Sequence, residues 1–329
     1  MQTLQSSDLL NNKKILITGG LGFIGYALAK RLVDNNQIVV VDNLIRNHGF
    51  HDQIIQKHPN LTTHILDVAE DNIGDHITND DFDYIVHAAA IAGIYTVGKK
   101  PTITLRTNTL GTINMLDFAL KQKNLLRFVD FSTSEIFGDR EEVCTEESLA
   151  HIGPIGQDRW GYAASKLIGE YFSNAYFKEF GLKTTTIRPM NIYGGGQLGE
   201  GALGNFIIKA LKGENLIIHG LGDQVRSWCH IDDFVDGVLL CMTNEKAIGE
   251  SFNLGNDEQV VTVKNLAEMV LNTIQTSSKI VNEKELKEDI KIRKVSCTKA
   301  REILGFSPNV DIKGGIQRTL DSYKNLFQF

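Results

Sequence analysis

Cysteine, proline and charge of one sign are all scarce in this chain, and each scarcity closes off a class of protein. Its four cysteines (Cys144, Cys229, Cys241 and Cys297) are scattered without pair or metal-ligand spacing. No disulfide framework follows from such spacing; the thiols suit the reduced state of a cytoplasmic protein. The nine histidines join no metal constellation either, and no metal is expected. Five prolines and no low-complexity run leave no candidate linker between separately strung domains. A net charge of only −6 argues against a nucleic acid or a membrane surface as partner. No apolar run approaches the roughly 18 residues that cross a bilayer. Residues 1–13 are polar, lack a signal-peptide core, and read as a loose leader.

What is present is alternation. Ile15-Leu-Ile-Thr18 is a short buried strand, and Gln37–Val41, Thr63–Leu66, Tyr84–His87, Phe128–Phe131 and Thr184–Ile187 repeat the pattern. Helical segments lie between them, at Tyr26–Asp34, at Leu105–Leu120, and from Trp160 for about four turns to Gly181. Strand, helix, strand in this rhythm predicts an α/β fold: a Rossmann-type doubly wound parallel sheet. After Pro189 the texture changes to a loop with glycines at 194, 195, 196, 199, 201 and 204, either a mobile surface loop or a lid over a substrate. Helices around 232–243, 262–275 and 312–326 follow. The expected division is residues 14–188 for the sheet domain, with segments near 228–256 returning to it, and a smaller interleaved C-terminal substrate domain over 189–329.

Three stretches carry chemistry. Gly19, Gly22 and Gly25 form a G-x-x-G-x-x-G loop between a strand and a helix, where backbone must turn and approach a pyrophosphate; the helix N-terminus offers free amides to the phosphates. Asp42 ends the next strand about 20 residues on, where a carboxylate receives ribose hydroxyls and repels a 2′-phosphate, so NAD is favoured over NADP. Ala88, Ala89 and Ala90 leave room for the dinucleotide. The third stretch pairs Ser132-Thr-Ser-Glu135 with Tyr162 and Lys166, which stand one helical turn apart on one face. A phenol and an ammonium facing a hydroxyl-rich strand end form a proton-transfer site.

Gly19-x-x-Gly-x-x-Gly25, Asp42, Asp67-Val68, His87-Ala-Ala-Ala90, Asn108, Ser132-Thr133, Tyr162-x-x-x-Lys166, Arg188-Pro189-x-Asn191 and Arg226-x-Trp-x-x-Ile-x-Asp233 stand in the order found in one family. From about residue 14 to 326 the chain resembles the extended short-chain dehydrogenase/reductases that modify nucleotide sugars. Pro101–Leu116, Thr133-Ser-Glu135, Arg159-Trp160 and Asn205–Leu211 look most like UDP-glucuronate decarboxylases. Ile91-Ala-Gly-Ile-Tyr95 is closer to uronate 4-epimerases, Thr-Ser-Glu also occurs in GDP-mannose 4,6-dehydratases, and Arg293-Lys-Val-Ser296 departs from the decarboxylase pattern.

The resemblance implies NAD held by Gly19, Gly22, Phe23, Ile24, Gly25, Asp42, Asn43, Asp67, Val68, Ala88, Ala89, Ala90, Asn108, Tyr162, Lys166 and Pro189. It implies catalysis by Thr133, Ser134, Glu135, Tyr162 and Lys166, on a nucleotide sugar, UDP-linked in preference, bound by Arg159, Asn191, Asn205, Phe206, Arg226 and Arg293. It also implies a homodimer paired through the 105–120 and 162–178 helices. The residue types account for oxidation at carbon 4 of the hexose. Free tyrosine titrates at about pH 10, and Lys166 would lower that until Tyr162 could take the hydroxyl proton. Thr133 would hold the same oxygen. A 4-keto group makes a carbon 6 carboxylate a β-keto acid, and it also acidifies the carbon 5 proton. Glu135 supplies a carboxylate that a plain epimerase does not need, which favours decarboxylation of a UDP-hexuronate, then 4,6-dehydration. A 4-epimerase, a net 4-dehydrogenase and a non-catalytic cofactor sensor remain as alternatives.

Overall fold

A computed structural model describes residues 10–45, 57–77, 81–284 and 290–327. Residues 1–9 of the expected leader lie outside the described residues. From residue 10 the chain is tied to the fold: Leu10 is buried in the core, and the Asn36 amide donates to its carbonyl at 2.9 Å.

Seven strands make one parallel sheet. They are β1 (Lys14–Thr18), β2 (Gln37–Asp42), β3 (Leu61–Ile65), β4 (Tyr84–His87), β5 (Arg127–Phe131), β6 (Thr184–Pro189) and β7 (Ser251–Leu254), in spatial order β7-β6-β5-β4-β1-β2-β3. The inner strands are continuous apolar runs because helices cover both faces. Ile15 to Ile17, Val40 and Val41, Ile85 and Val86, and Phe128 and Val129 are all buried. The chain runs outward from β1 to β3, then returns to place β4 on the other side of β1. That reversal opens a crevice at the carboxyl ends of β1 and β4, the switch point at which open α/β sheets bind ligands.

The helices follow from the sequence in different ways. In α1 (Phe23–Leu32), Gly25, Leu28, Ala29 and Leu32 are buried at helical spacing, and Lys30 and Arg31 complement its C-terminal dipole. α2 (Pro101–Leu120) begins four residues before the apolar pattern suggests, because Pro101 at its first position presets the helical φ. α3 (Asp158–Phe180) also starts early, with Asp158 in its first turn, and runs 23 residues to a left-handed Gly181. α2 and α3 lie side by side on one face of the sheet; Tyr176 on α3 donates to Asp117 on α2 at 2.6 Å.

Beyond β6 a second hydrophobic core forms from α4 (Ala202–Leu211), α6 (Val263–Ile274) and α7 (Ile312–Phe327), with Leu203, Ile207, Leu266, Val270, Ile316 and Leu320 at its centre. Between them α5 (Ile231–Thr243) and β7 belong to the first core, through Phe234, Val238, Phe252 and Leu254. A parallel pairing of Lys294–Val295 with Val143–Cys144 ties the last third of the chain to the segment that follows β5.

Candidate active site

The crevice at the switch point is a cleft of about 390 Å³. The glycine loop forms one wall. Gly19 sits at φ +66°, and a Cβ there would lie 2.8 Å from the Ala89 backbone, so no other residue lets the loop pass the end of β4. Gly22 N-caps α1, whose first turn carries no acidic residue, so nothing opposes an anion at its free amides. Asp42 lines the cleft at the end of β2 and accepts the Leu21 amide at 3.1 Å and the Leu44 amide at 2.9 Å. It therefore ties the glycine loop to the turn after β2 while keeping further lone pairs for ribose hydroxyls. A glycine cradle, an acid-free helix start and a carboxylate at the strand end fit a dinucleotide without a 2′-phosphate.

Of the residues expected at the cofactor, Gly19, Gly22, Phe23, Ile24, Gly25, Asp42, Asn43, Val68, Ala88, Ala89, Ala90, Tyr162, Lys166 and Pro189 line this cleft. Asp67 and Asn108 do not. Asp67 stands behind the wall, accepting from Asn43 at 2.8 Å and from the Ala69 amide at 2.9 Å. Asn108 is wholly buried, and its amide is spent on both backbone groups of Ile91, at 2.8 and 3.0 Å, and on Ser165 at 3.2 Å. It clamps the segment after β4 to α3 and reaches no cleft.

The reacting end of the cleft is lined by Ser132, Thr133, Tyr162, Lys166 and Asn191. Thr133 Oγ1 accepts the Glu135 amide at 3.2 Å, which leaves its own proton to donate forward. Lys166 is 2% exposed on the inner face of α3. Burial lowers its pKa, while the nearby Asp130 and Glu170 carboxylates oppose that shift. Burial and the Lys166 charge push His87 down to about 3, so its imidazole is neutral and bonded to Thr18 at 2.8 Å and Thr112 at 3.3 Å.

Glu135 stands beyond Thr133 in a tight helical turn, Ser134–Phe137, with Ser134 buried beside it. Two arginines converge on it. Arg159 makes a fork to both carboxylate oxygens at 2.8 and 3.1 Å, and Arg293 binds one of the same oxygens. Burial alone would raise the Glu135 pKa, but Arg293 and Arg159 overcome it and hold the group at about 2. The carboxylate is thus ionised throughout the neutral range. Arg293 is 5% exposed, and its Nε and Nη2 have no partner among the described residues. Ser134, Glu135, Arg159 and Arg293 stand outside the lining of the cleft, next to Thr133. The expectation that both arginines face a substrate is therefore modified: each already shares Glu135, and the unpartnered edge belongs to Arg293.

The remaining expected ligands sit elsewhere. Arg226 donates to the backbone carbonyls of Val225 at 2.9 Å and Lys291 at 3.3 Å, and to that of Ile290, bracing the segment that leads to Arg293. Phe206 does not reach the cleft; it is buried in the second core, because α4 turns that face toward α6 and α7. Asn205 is exposed on the other side of the same helix. The residue reading missed Thr107, Phe131, Gln197 and Glu200 as cleft-lining groups. Glu200 had a signal, an acid inside the glycine-rich loop. It accepts the amides of Tyr95 at 2.7 Å and Thr96 at 2.9 Å, strapping that loop across the cleft.

Among the described residues no group of His, Cys, Asp and Glu could hold a metal, and no helix is long and apolar enough to cross a membrane. Residues 15–255 match the NAD dependent epimerase/dehydratase family. The chain is 32% identical over 325 residues to UDP-N-acetyl-alpha-D-glucosaminuronate decarboxylase of Bacillus cytotoxicus, covering 95% of this chain and 98% of that protein. It is 32% identical over 317 residues to UDP-glucuronic acid decarboxylase 1 of Danio rerio, covering 95% of this chain and 73% of that one. In three dimensions it is similar to UDP-glucuronic acid 4-epimerase from Bacillus cereus in complex with UDP-glucuronic acid and NAD. The TM-score there is 0.86 at 26% identity, covering 95% of this chain and 99% of that chain.

Proposed function

Since the chain belongs to the NAD dependent epimerase/dehydratase family, we propose that it oxidises carbon 4 of a UDP-linked hexuronate and then releases the carbon 6 carboxylate as carbon dioxide. NAD supplies a hydride acceptor at carbon 4 and a hydride donor for the return step. Gly19, Gly22 and Gly25 would hold its diphosphate against the start of α1, and Asp42 its adenosine ribose. Tyr162 takes the carbon 4 hydroxyl proton, with the Lys166 charge stabilising its phenolate. Thr133 donates to the same oxygen, and as carbon dioxide leaves that oxygen carries the developing enolate charge. The enolate takes a proton from solvent at carbon 5, and the proton held by Tyr162 goes back to the carbon 4 oxygen when hydride returns to carbon 4.

The observation that carries the choice of reaction is Glu135, held ionised at about 2 by Arg159 and Arg293. Dehydration needs an acid to protonate a departing carbon 6 hydroxyl, and a carboxylate bound by two arginines is a poor one. Breaking the carbon 5–carbon 6 bond of a β-keto acid needs no proton donor at carbon 6. The free edge of Arg293 gives the substrate carboxylate or diphosphate a charge-assisted contact in a position fixed by Glu135. An epimerase, which only returns hydride to the opposite face, has no use for this charge cluster.

The test is product mass after incubation with UDP-glucuronate, UDP-N-acetylglucosaminuronate, UDP-glucose and dTDP-glucose. Loss of carbon dioxide from a hexuronate is the expected result. Loss of water from a neutral hexose, or an unchanged mass with inverted carbon 4, would replace this reading by dehydratase or epimerase.

A further inference from the structure

Beneath Lys166 lies a buried charge the reaction does not use directly. Asp130 is fully buried on β5, between His87 of β4 and Thr186 of β6 in register. An aspartate in the middle of a central parallel strand is costly unless paired, because burial penalises its ionised form. Its Oδ1 has no hydrogen-bond partner among the described residues, and its Oδ2 receives a long bond from Ser173 at 3.4 Å. α3 approaches it closely: a Cβ at Gly169 would lie 3.3 Å from Oδ2, so glycine there leaves the carboxylate its space. Lys166, Gly169 and Ser173 follow one another on the buried face of the helix.

Charge balance identifies the partner. The groups facing this layer are His87 from β4, Asp130 from β5, Lys166, Glu170 and Tyr162 from α3, and Arg188 from β6. His87 is neutral. Glu170 is committed to Arg188, which forks onto it at 2.9 and 2.8 Å. Lys166 and Asp130 remain, two buried ionisable groups that make no direct ion pair; burial raises the Asp130 pKa, and the Lys166 charge opposes that shift. We propose that Asp130 is the internal counter-ion of Lys166, a positioning residue that keeps the ammonium charged and aimed into the cleft from below. It touches neither substrate nor cofactor, since it lines no part of the cleft. Its effect reaches the chemistry through Lys166, whose charge makes Tyr162 a base. The inference rests on the reading of Tyr162 and Lys166 as the carbon 4 oxidation pair, and it is independent of the fate of carbon 6.

The experiment titrates the Lys166 side chain by carbon-13 NMR in the NAD-loaded full chain, with the signal assigned by Lys166→Met. Asp130→Asn should move the Lys166 titration down by about one pH unit or more, and carry the alkaline limb of kcat down with it. KM for the nucleotide sugar should change little. A lower melting temperature with an unmoved Lys166 titration and alkaline limb would overturn the proposal and leave Asp130 a merely structural residue. If Asp130→Asn does not fold, the carboxyl carbon of Asp130 in the wild-type protein decides: an ionised group at neutral pH supports the pair, and a neutral acid there overturns it. A shifted Lys166 titration in a protein that releases no carbon dioxide from UDP-hexuronates would reject the decarboxylase reading and leave this one standing. Full oxidation by Lys166→Met would remove the premise itself.

Discussion

Tyr162 lines the reacting end of the cleft and Glu135 stands beyond Thr133, outside that lining; in the proposed reaction they would serve different steps. Tyr162→Phe keeps the ring that lines the cleft and removes only the proton acceptor. Cofactor binding should persist while turnover falls by roughly 10²- to 10⁴-fold, the usual range for lost acid–base catalysis. A variant within a few-fold of wild type would move the base to another residue. Glu135→Gln leaves Thr133, Tyr162 and Lys166 intact but frees Arg159 and Arg293 from their shared anchor. Oxidation at carbon 4 should continue and carbon dioxide release should slow, seen as reduced-nicotinamide absorbance that persists in a single turnover. Release at the wild-type rate would clear Glu135 of any role after oxidation. The same residue gives a pH dependence of stability. Its folded pKa, about 2, is below the ordinary value of about 4.3, so the ion pair contributes fully above about pH 5. That contribution disappears as pH falls toward 2, and an acid-unfolding curve of Glu135→Gln should show a correspondingly weaker slope across that window.

At the scale of elements, one face of α3 presents Lys166, Gly169, Glu170 and Ser173 to the protein interior while Tyr162 opens into the cleft, which is where the proposed proton transfer would take place. Only the Tyr-x-x-x-Lys spacing is visible in advance; what Lys166 meets depends on β4 and β5. The glycine-rich segment after β6 has a similar double character. Its glycines leave a surface loop and a lid equally open as readings, and Glu200 decides by bonding the Tyr95 and Thr96 amides across the cleft. Glu200→Ala removes those charge-assisted bonds from an exposed position. NAD dissociation should quicken about three- to tenfold, as expected for the loss of roughly 1 kcal/mol. Displacement of bound cofactor by excess labelled NAD measures it, and an unchanged off-rate would show the strap has no part in retention.

For the whole molecule, the parallel strands place the cleft-lining loops at their carboxyl ends, and the Lys294–Val295 pairing with Val143–Cys144 brings Arg293 back to the segment that follows β5. The outer faces of α2 and α3 carry exposed apolar residues, among them Ile103, Leu105, Ile168 and Tyr171. Two copies packed through these helices would cover them, and a homodimer is expected on that ground. Light scattering at micromolar concentration should give twice the chain mass, and Ile168→Glu with Tyr171→Glu should halve it. A wild-type monomer would reject the pairing.

The sequence by itself determined whatever depends on local pattern. Apolar runs bounded by turns gave six of the seven strands, all but Ser251–Leu254, and the glycine loop, Asp42 and the Tyr162–Lys166 spacing gave the cofactor cleft, because each is set by residues a few positions apart. The helices starting at Pro101 and Asp158 begin before their apolar periodicity does, because a proline and a polar first turn carry the signal there. The tertiary structure alone decided the pairings between distant segments. Arg293 meets Glu135 across 158 residues, Arg226 turns to backbone, Phe206 goes to a core, and Asn108 is consumed by Ile91. A side chain's type states what it can bond, but its partner is fixed by which elements the fold brings within about 3 Å, and no local pattern encodes that distance.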